Sequence, residues 1–302
     1  MELLLFRTRW GAEGNLSEFA AEAESAGFDG IECPVPVVSG ERHALEKVLQ
    51  RSKLAWIAEI TTGGGYVPRR ELGLEDHVAD LSAKLDACAA LGPVRVNCIG
   101  GLDAWPDSDA LQFFEAGMNA AEALGLELCF ETHRSRCLFN PWRCERIVAE
   151  IPEIRLTADL SHWCVVAERL MDTEMEAIRA IAPNVRHIHA RVGYDQGPQV
   201  PHPAAPEYAE ALASHQRCWE VFWRSQKAGG ALRTTMTPEF GPDGYLHQLP
   251  FTQAPVADLW EINRWMADEE RRHFLQWRAG SVDSRPAALP NSIQVPQPGA
   301  PA

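Results

Sequence analysis

Four polar residues in the second half of the chain each close a short apolar run. Glu131 ends residues 126–131, Asp159 ends 154–159, His189 falls within 185–190 and Glu239 ends 234–239. If these runs are strands opening on one shared mouth, three carboxylates and an imidazole meet in largely apolar surroundings. They repel and desolvate one another there unless a cation or protons compensate. One divalent metal held by Glu131, Asp159, His189 and Glu239 is the economical answer. Oxygen donors with one nitrogen and no thiolate favour Mn²⁺ or Mg²⁺, with Co²⁺ and Zn²⁺ also compatible. The chemistry open to such a centre is Lewis-acid activation of an oxygen beside a positioned carboxylate base.

The elements that must deliver these residues can be counted. Apolar, β-rich runs occur at 2–6, 28–32, 54–60, 94–99, 126–131, 154–159, 185–190 and 234–239. Helical spacing follows each of them, near 15–26, 41–51, 72–91, 108–124, 141–151, 168–182, 206–228 and 255–278. Eight strand-then-helix units predict an α/β fold, a closed parallel (β/α)₈ barrel whose strands all end at one mouth. A doubly wound open sheet usually has fewer strands and a glycine-rich turn after the first, and Arg7-Thr8-Arg9-Trp10-Gly11 carries no such fingerprint. The barrel is expected to occupy residues 1–279 as one domain. Residues 280–302, rich in Pro, Ala, Ser and Gly, are expected to form an extended or disordered tail.

Composition narrows the partners. With 28 Lys plus Arg against 42 Asp plus Glu, the net charge of −14 disfavours polyanions, so no nucleic acid is expected. No apolar run approaches the 18 or so residues of a membrane span, and the first residues read as a strand rather than a signal peptide. A cytoplasmic location without membrane association is therefore expected. The 8 cysteines form no CxxC pair, which fits reduced thiols in a core.

The motifs Glu131-Thr132-His133, Asp159-Leu160-Ser161-His162, His187-Ile188-His189-Ala190-Arg191 and Pro238-Glu239-Phe240-Gly241 stand in that order at strand ends. In this they resemble the metal motifs of the xylose-isomerase-like barrel superfamily, over roughly residues 1–275. That superfamily includes ketose 3-epimerases, sugar isomerases, inosose dehydratases and type IV apurinic endonucleases. The resemblance implies that Glu131 and Glu239 are both metal ligands and the two acid/base groups on opposite faces of a substrate. It makes Asp159 and His189 ligands only, and His162 and Arg191 substrate contacts. A proton next to a carbonyl is acidic only when the developing enediolate oxygen is stabilised, which is the metal's part as a Lewis acid. One carboxylate then removes the proton and the other returns it to the opposite face.

Other residues keep two readings at this stage. His133 either orients substrate or makes a loop hydrogen bond. Asn97 either presents its amide to the pocket or caps the following turn. Trp10, at the end of the first strand, is placed to stack on a sugar face. His187 lies one layer deeper than His189 and reads as a core or supporting histidine. Trp219 and Trp223, four apart, read as packing residues. The stretch Thr61–Tyr66 lacks the ending of a phosphate-binding loop and reads as a flexible pocket edge. The Pro/Gly-rich stretch 192–203 is expected to act as a lid.

The leading expectation is an enzyme, a metal-dependent isomerase or epimerase acting on a small carbohydrate, cyclitol or keto-sugar. A metal-dependent lyase or dehydratase shares its first step. A phosphodiesterase would need further histidines on the third and fourth strands, where Glu59 and Asn97 stand instead. A non-catalytic sugar binder would not need opposed carboxylates. A homo-oligomer is compatible with the aromatics on two helix faces and the Pro-rich tail.

Overall fold

The computed structural model describes residues 1–242 and 244–280, so the expected tail beyond Gly280 lies outside the described residues. Eight parallel strands close into a barrel in sequence order. They are β1 (Glu2–Thr8), β2 (Gly30–Pro34), β3 (Ala55–Thr61), β4 (Arg95–Ile99), β5 (Leu128–Glu131), β6 (Leu156–Ala158), β7 (Val185–His189) and β8 (Arg233–Thr237). The ring is sealed where β8 pairs with β1, Leu4 opposite Thr235 and Leu5 opposite Met236.

Helices α1 (Leu16–Ser25), α2 (Ser39–Arg51), α3 (Leu74–Ala89), α4 (Asp107–Ala123) and α5 (Pro141–Glu150) follow the first five strands. Then come α6 (Ser161–Ala167), α7 (Met175–Ile181), α8 (Ala209–Ala228) and α9 (Leu259–Arg278). Local chemistry sets several starts. Asn15 closes a capping box on α1, Asn140 with Pro141 opens α5, and Asp258 caps α9.

Most boundaries shift by one to four residues from the expectation, and two of the differences have a local cause. The second strand begins at Gly30 instead of 28, because the chain leaves α1 through a turn at Gly27 with φ +75. The single helix expected over 168–182 is replaced by α6, a 3₁₀ turn at Met171–Glu174 and α7. Asp159 causes the early start, since its Oδ1 accepts both the backbone N–H (3.0 Å) and the hydroxyl (2.5 Å) of Ser161. Helix α6 therefore begins directly behind a predicted ligand and carries His162 back toward the mouth.

Strand alternation divides the interior into two zones. Residues facing outward, including Leu5, Ile31, Trp56, Ile60, Val96, Cys98, Phe130 and Ile188, pack against the helices. Trp219 and Trp223 of α8 are buried, and Trp223 packs against Phe274 and Trp277 of α9, as their spacing predicted. All 8 cysteines are free and buried.

The lumen is polar instead. At its lower level Arg95 of β4 crosses to Thr235 of β8 (2.6 Å) and to the carbonyl of Arg186 (2.8 Å). Above it lie Glu32, Glu59, Asn97, His187 and Thr237, all buried, and at the top the four predicted ligands. Buried polar groups need partners, and most of these find them across the lumen, whereas Asn97 Oδ1 and His189 Nδ1 make no hydrogen bond.

Among the described residues no helix is long and apolar enough to cross a membrane.

Candidate metal centre and substrate cavity

The barrel brings the four predicted ligands together. Glu131 and His189 are the last residues of β5 and β7, while Asp159 and Glu239 lie just past β6 and β8. One donor atom from each lies within 4.8 Å of the others, and all four residues are buried. His189 Nδ1 stands 3.1 Å from Glu239 Oε2 and 3.6 Å from Glu131 Oε2, yet makes no hydrogen bond. A buried nitrogen without a hydrogen bond, ringed by carboxylate oxygens, is the arrangement a divalent cation satisfies.

The electrostatics agree. Burial raises the Glu131 carboxyl well above the usual carboxylate range, and the charges of Glu239 and Asp159 add to the rise against the opposing pull of His189. Burial disfavours the His189 imidazolium, but Glu239, Glu32 and Glu131 together hold its pKa well above the ordinary value. Held protons relieve the crowding of negative charge in part, and a dication does the same directly.

Each sequence-predicted substrate residue now has a place. Asn97 neither caps a turn nor lines the cavity: its amide donates to Glu131 Oε2 at 2.6 Å and so orients that carboxylate. His162 is buried, with Nε2 3.5 Å from Asp159 Oδ2 and 4.0 Å from Glu131 Oε1. His133 stacks on it, ring centroids 3.8 Å apart, while His133 Nδ1 lies 2.5 Å from the carbonyl of Arg134. Burial, the largest cause for each, lowers both imidazoles well below the usual histidine value. Both are therefore neutral hydrogen-bonding groups at physiological pH.

Arg191 does more than the expected substrate contact. Its guanidinium donates to Asp159 Oδ2 (2.5 Å) and Ser161 Oγ (2.9 Å), lies 2.7 Å from His162 Nε2, and approaches Glu239 Oε2 at 3.5 Å. It ties two predicted ligands together while still facing the cavity.

The cavity itself has a polar floor of Glu131, His133, Arg191 and Glu239, and an aromatic cover of Trp10, Tyr66 and Tyr245. Trp10 meets Tyr245 edge-on at 4.8 Å between centroids and Tyr66 at 5.6 Å. Gly241, in the fourth motif, permits this, because a Cβ there would fall 2.1 Å from the Trp10 ring. A larger cavity outside the barrel, between the starts of α1 and α9, shares Trp10 with the site but none of the predicted ligands.

Two loops behave differently from their expectation. None of residues 192–203 lines the cavity. That stretch packs onto the barrel beside the cavity: Val192 and Val200 are buried, Gly193 packs against Ser161, and Gln199 exchanges two hydrogen bonds with Gly241 (2.8 and 3.1 Å). The stretch expected to be a flexible pocket edge is instead fastened by Arg136, which is fully buried. Arg136 donates to the carbonyls of Thr62 (2.7 Å), Gly65, Tyr66 (3.1 Å) and Gly101 (3.2 Å).

Sequence reasoning overlooked four contributors: Glu32, Tyr66, Arg136 and Tyr245. Glu32 had a legible signal, a carboxylate inside the apolar run Phe28–Glu32. It accepts from His187 Nε2 (3.1 Å), His189 Nε2 (3.0 Å) and Thr237 Oγ1 (2.5 Å). Burial alone would raise its carboxyl, but His189 and His187 outweigh that and hold it well below the carboxylate range. Arg136 and the two tyrosines lie on loops whose paths the sequence does not dictate.

Comparison with known proteins places the fold. No curated protein sequence matches the chain. Among solved structures, D-allulose 3-epimerase from Methylomonas sp. in complex with D-allulose has a TM-score of 0.62 at 12% identity, covering 90% of this chain and 97% of that one. The IOLI protein with a bound zinc atom has a TM-score of 0.60 at 14% identity, covering 94% and 100%. The probable 3-DHS dehydratase AsbF from Bacillus anthracis has a TM-score of 0.55 at 10% identity, covering 89% and 99%. At such identities the likeness is one of fold. The family described as xylose isomerase-like TIM barrel matches residues 20–198, more than half of the sequence, and it is to this family that the chain belongs.

Proposed function

We propose that this protein is a divalent-metal-dependent isomerase or epimerase of a small carbohydrate, cyclitol or keto-sugar, acting by proton transfer at carbon beside a carbonyl. The observation that carries the reading is the convergence of Glu131 and Glu239. Both belong to the buried four-residue cluster, and both also line the cavity. A bound cation, with Mn²⁺ favoured by the donor set and Mg²⁺, Co²⁺ or Zn²⁺ compatible, would supply Lewis-acid polarisation of the substrate carbonyl.

The chain's own residues have the remaining tasks. Glu131, oriented by Asn97, and Glu239, beside Arg191, are the proton-transferring carboxylates. Asp159 and His189 complete the cation's ligands. Neutral His133, with Arg191, offers hydrogen bonds to substrate hydroxyls, while His162, behind the cavity wall, supports Arg191 from 2.7 Å. Trp10, Tyr66 and Tyr245 provide apolar faces for a sugar ring and keep bulk water out. The solved relatives that act on sugars support this choice of substrate class, and the net charge of −14 weighs against a nucleic-acid substrate.

One observation favours a second reading, a lyase or dehydratase. The Tyr66 hydroxyl, at the cavity wall, donates to Glu59 Oε1 at 3.2 Å. Burial, then the charges of Glu239 and Glu32, pushes the Glu59 carboxyl up to about 8. A proton held on Glu59 suits departure of a β-hydroxyl, provided that Tyr66 gives its own proton to the leaving oxygen and takes that of Glu59 in its place, a step that simple epimerisation does not require.

The test is incubation of metal-loaded protein in D₂O with a panel of ketoses, aldoses, inososes and keto-glycosides, reading deuterium uptake and product mass. Deuterium is expected next to the carbonyl with product mass otherwise unchanged. In Glu131→Gln and Glu239→Gln the rate is expected to fall by at least the ~10²-fold that a general base typically contributes. Loss of water from the product would select the lyase. Uptake that persists in both variants would overturn the assignment of the two carboxylates.

A further inference from the structure

A histidine offers two ring nitrogens, and a metal ligand must turn one lone pair toward the cation while the other nitrogen is satisfied elsewhere. His189 Nδ1 points at the cluster of Glu131 and Glu239 and makes no hydrogen bond. Its Nε2 lies 3.0 Å from Glu32 Oε1, on the opposite side of the ring. We propose that Glu32 is a positioning residue which, by accepting the Nε2 proton of His189, fixes the tautomer and orientation that present Nδ1 to a divalent cation. This inference rests on the metal reading above and extends it to a residue outside the ligand set.

The contacts around Glu32 support the assignment. Arg95 donates to Thr235 Oγ1 at 2.6 Å, and His187 Nδ1 lies 2.8 Å from that hydroxyl and 3.1 Å from the Thr235 carbonyl. His187 Nε2 faces Glu32 Oε2 at 3.1 Å, and Thr237 Oγ1 donates to the same oxygen at 2.5 Å. With Oε2 occupied from two sides, Oε1 is left for His189 Nε2. A line of contacts runs from Arg95 on β4 through β8 and β7 to Glu32 on β2, whose other oxygen meets the ring that faces the cluster.

Burial adds a second argument. Glu32 is buried in a lumen that already holds Glu59, Glu131, Asp159 and Glu239, so a further negative charge there is costly unless it is used. It does not line the cavity, so substrate binding is not that use. Accepting from the rear of His189 makes the ring a stronger donor at Nδ1 and stops it from rotating, which offsets the cost once a cation is bound.

The experiment measures Mn²⁺ and Zn²⁺ affinity by competition with a chelating dye in wild-type protein, Glu32→Gln and Thr237→Val. It is paired with long-range ¹H–¹⁵N correlation spectra of the histidine rings in the Zn²⁺ form. Glutamine keeps the size and one acceptor of Glu32 but removes the charge. Metal affinity is expected to fall roughly 10–100-fold in Glu32→Gln, the range found when a partner of a metal-bound histidine is removed, and by less in Thr237→Val. Wild-type His189 is expected to show a protonated Nε2. Urea midpoints identify any variant whose fold has failed, and Thr237→Val, which leaves the carboxylate in place, then carries the affinity comparison.

Equal affinities in wild type and Glu32→Gln, or a His189 ring protonated on Nδ1 in the Zn²⁺ form, would overturn this inference alone. A wild-type protein that takes up neither metal would overturn the metal reading, and Glu32's role with it.

Discussion

Replacing Arg136 by methionine tests whether one buried side chain fastens the mouth of this barrel. Arg136 is fully buried, and its donors reach four backbone carbonyls, those of Thr62, Gly65, Tyr66 and Gly101. Methionine fills much of the same volume but leaves these acceptors without their partner. At ~1–2 kcal/mol for each acceptor left buried and unsatisfied, those of Thr62 and Gly101, the cost is ~2–4 kcal/mol, while the carbonyls of exposed Gly65 and half-buried Tyr66 can turn to water. The desolvation of a guanidinium bonded to carbonyls instead of a carboxylate disappears at the same time, which brings the net loss to about 1–3 kcal/mol. With a urea m-value of roughly 3 kcal/mol/M, the unfolding midpoint should drop by about 0.5 M.

Tryptophan fluorescence during equilibrium urea unfolding reads that shift. Release of the Tyr66 carbonyl should also loosen the aromatic cover, so KM is expected to rise more than kcat falls once a substrate is in hand. Arg136→Lys keeps the charge but lacks the planar fork, and should fall between wild type and Arg136→Met. A midpoint within ~0.2 M of wild type in Arg136→Met would show that water or loop movement satisfies the carbonyls, and the reasoning would be wrong.

Two further expectations concern pH. Glu59 has its carboxyl pushed up to about 8 from 4.5, so the stability it contributes is complete below about pH 4.5 and is lost as pH rises through 8. In metal-stripped protein Glu59→Gln should therefore match wild type near pH 4 and exceed it at pH 9, and parallel denaturation curves across that range would refute the shift. His273, between Glu220 (3.1 Å) and Glu270 (3.3 Å), is pushed up to about 9 from 6.5 by hydrogen bonds to these carboxylates that outweigh burial. Its stabilising share is present below pH 6.5 and lost through pH 9, so His273→Gln should weaken the α8–α9 contact at pH 6 but scarcely at pH 10.

The residues themselves show where sequence stops being informative. Glu131, Asp159, His189 and Glu239 were legible because each closes an apolar run, and in a parallel barrel the end of a run has one destination. The eight-unit alternation and the packing roles of Trp219 and Trp223 were legible for the same reason: period and length are local properties of the chain. Asn97 was singled out, but its job was not, since nothing near it in sequence says that the amide would meet Glu131, 34 residues away. The early start of α6 was hidden in Asp159, which was read as a ligand although it also accepts from Ser161.

What tertiary structure alone decided is the set of contacts across the lumen and over the mouth. Glu32 meets His187 and His189 across 155 and 157 residues of sequence, between strands that are not neighbours in the barrel. Tyr66 and Tyr245 each meet Trp10 because three loops of unrelated composition end at one rim. The stretch 192–203 has the composition of a lid, yet its buried valines and Gln199 bind it to the wall. Strand periodicity reports which side of the sheet a residue faces, and the order of strands reports which end it reaches. Only closure of the ring sets which side chains then stand within 3 Å of one another, because hydrogen-bond geometry depends on the whole circumference and not on any one segment.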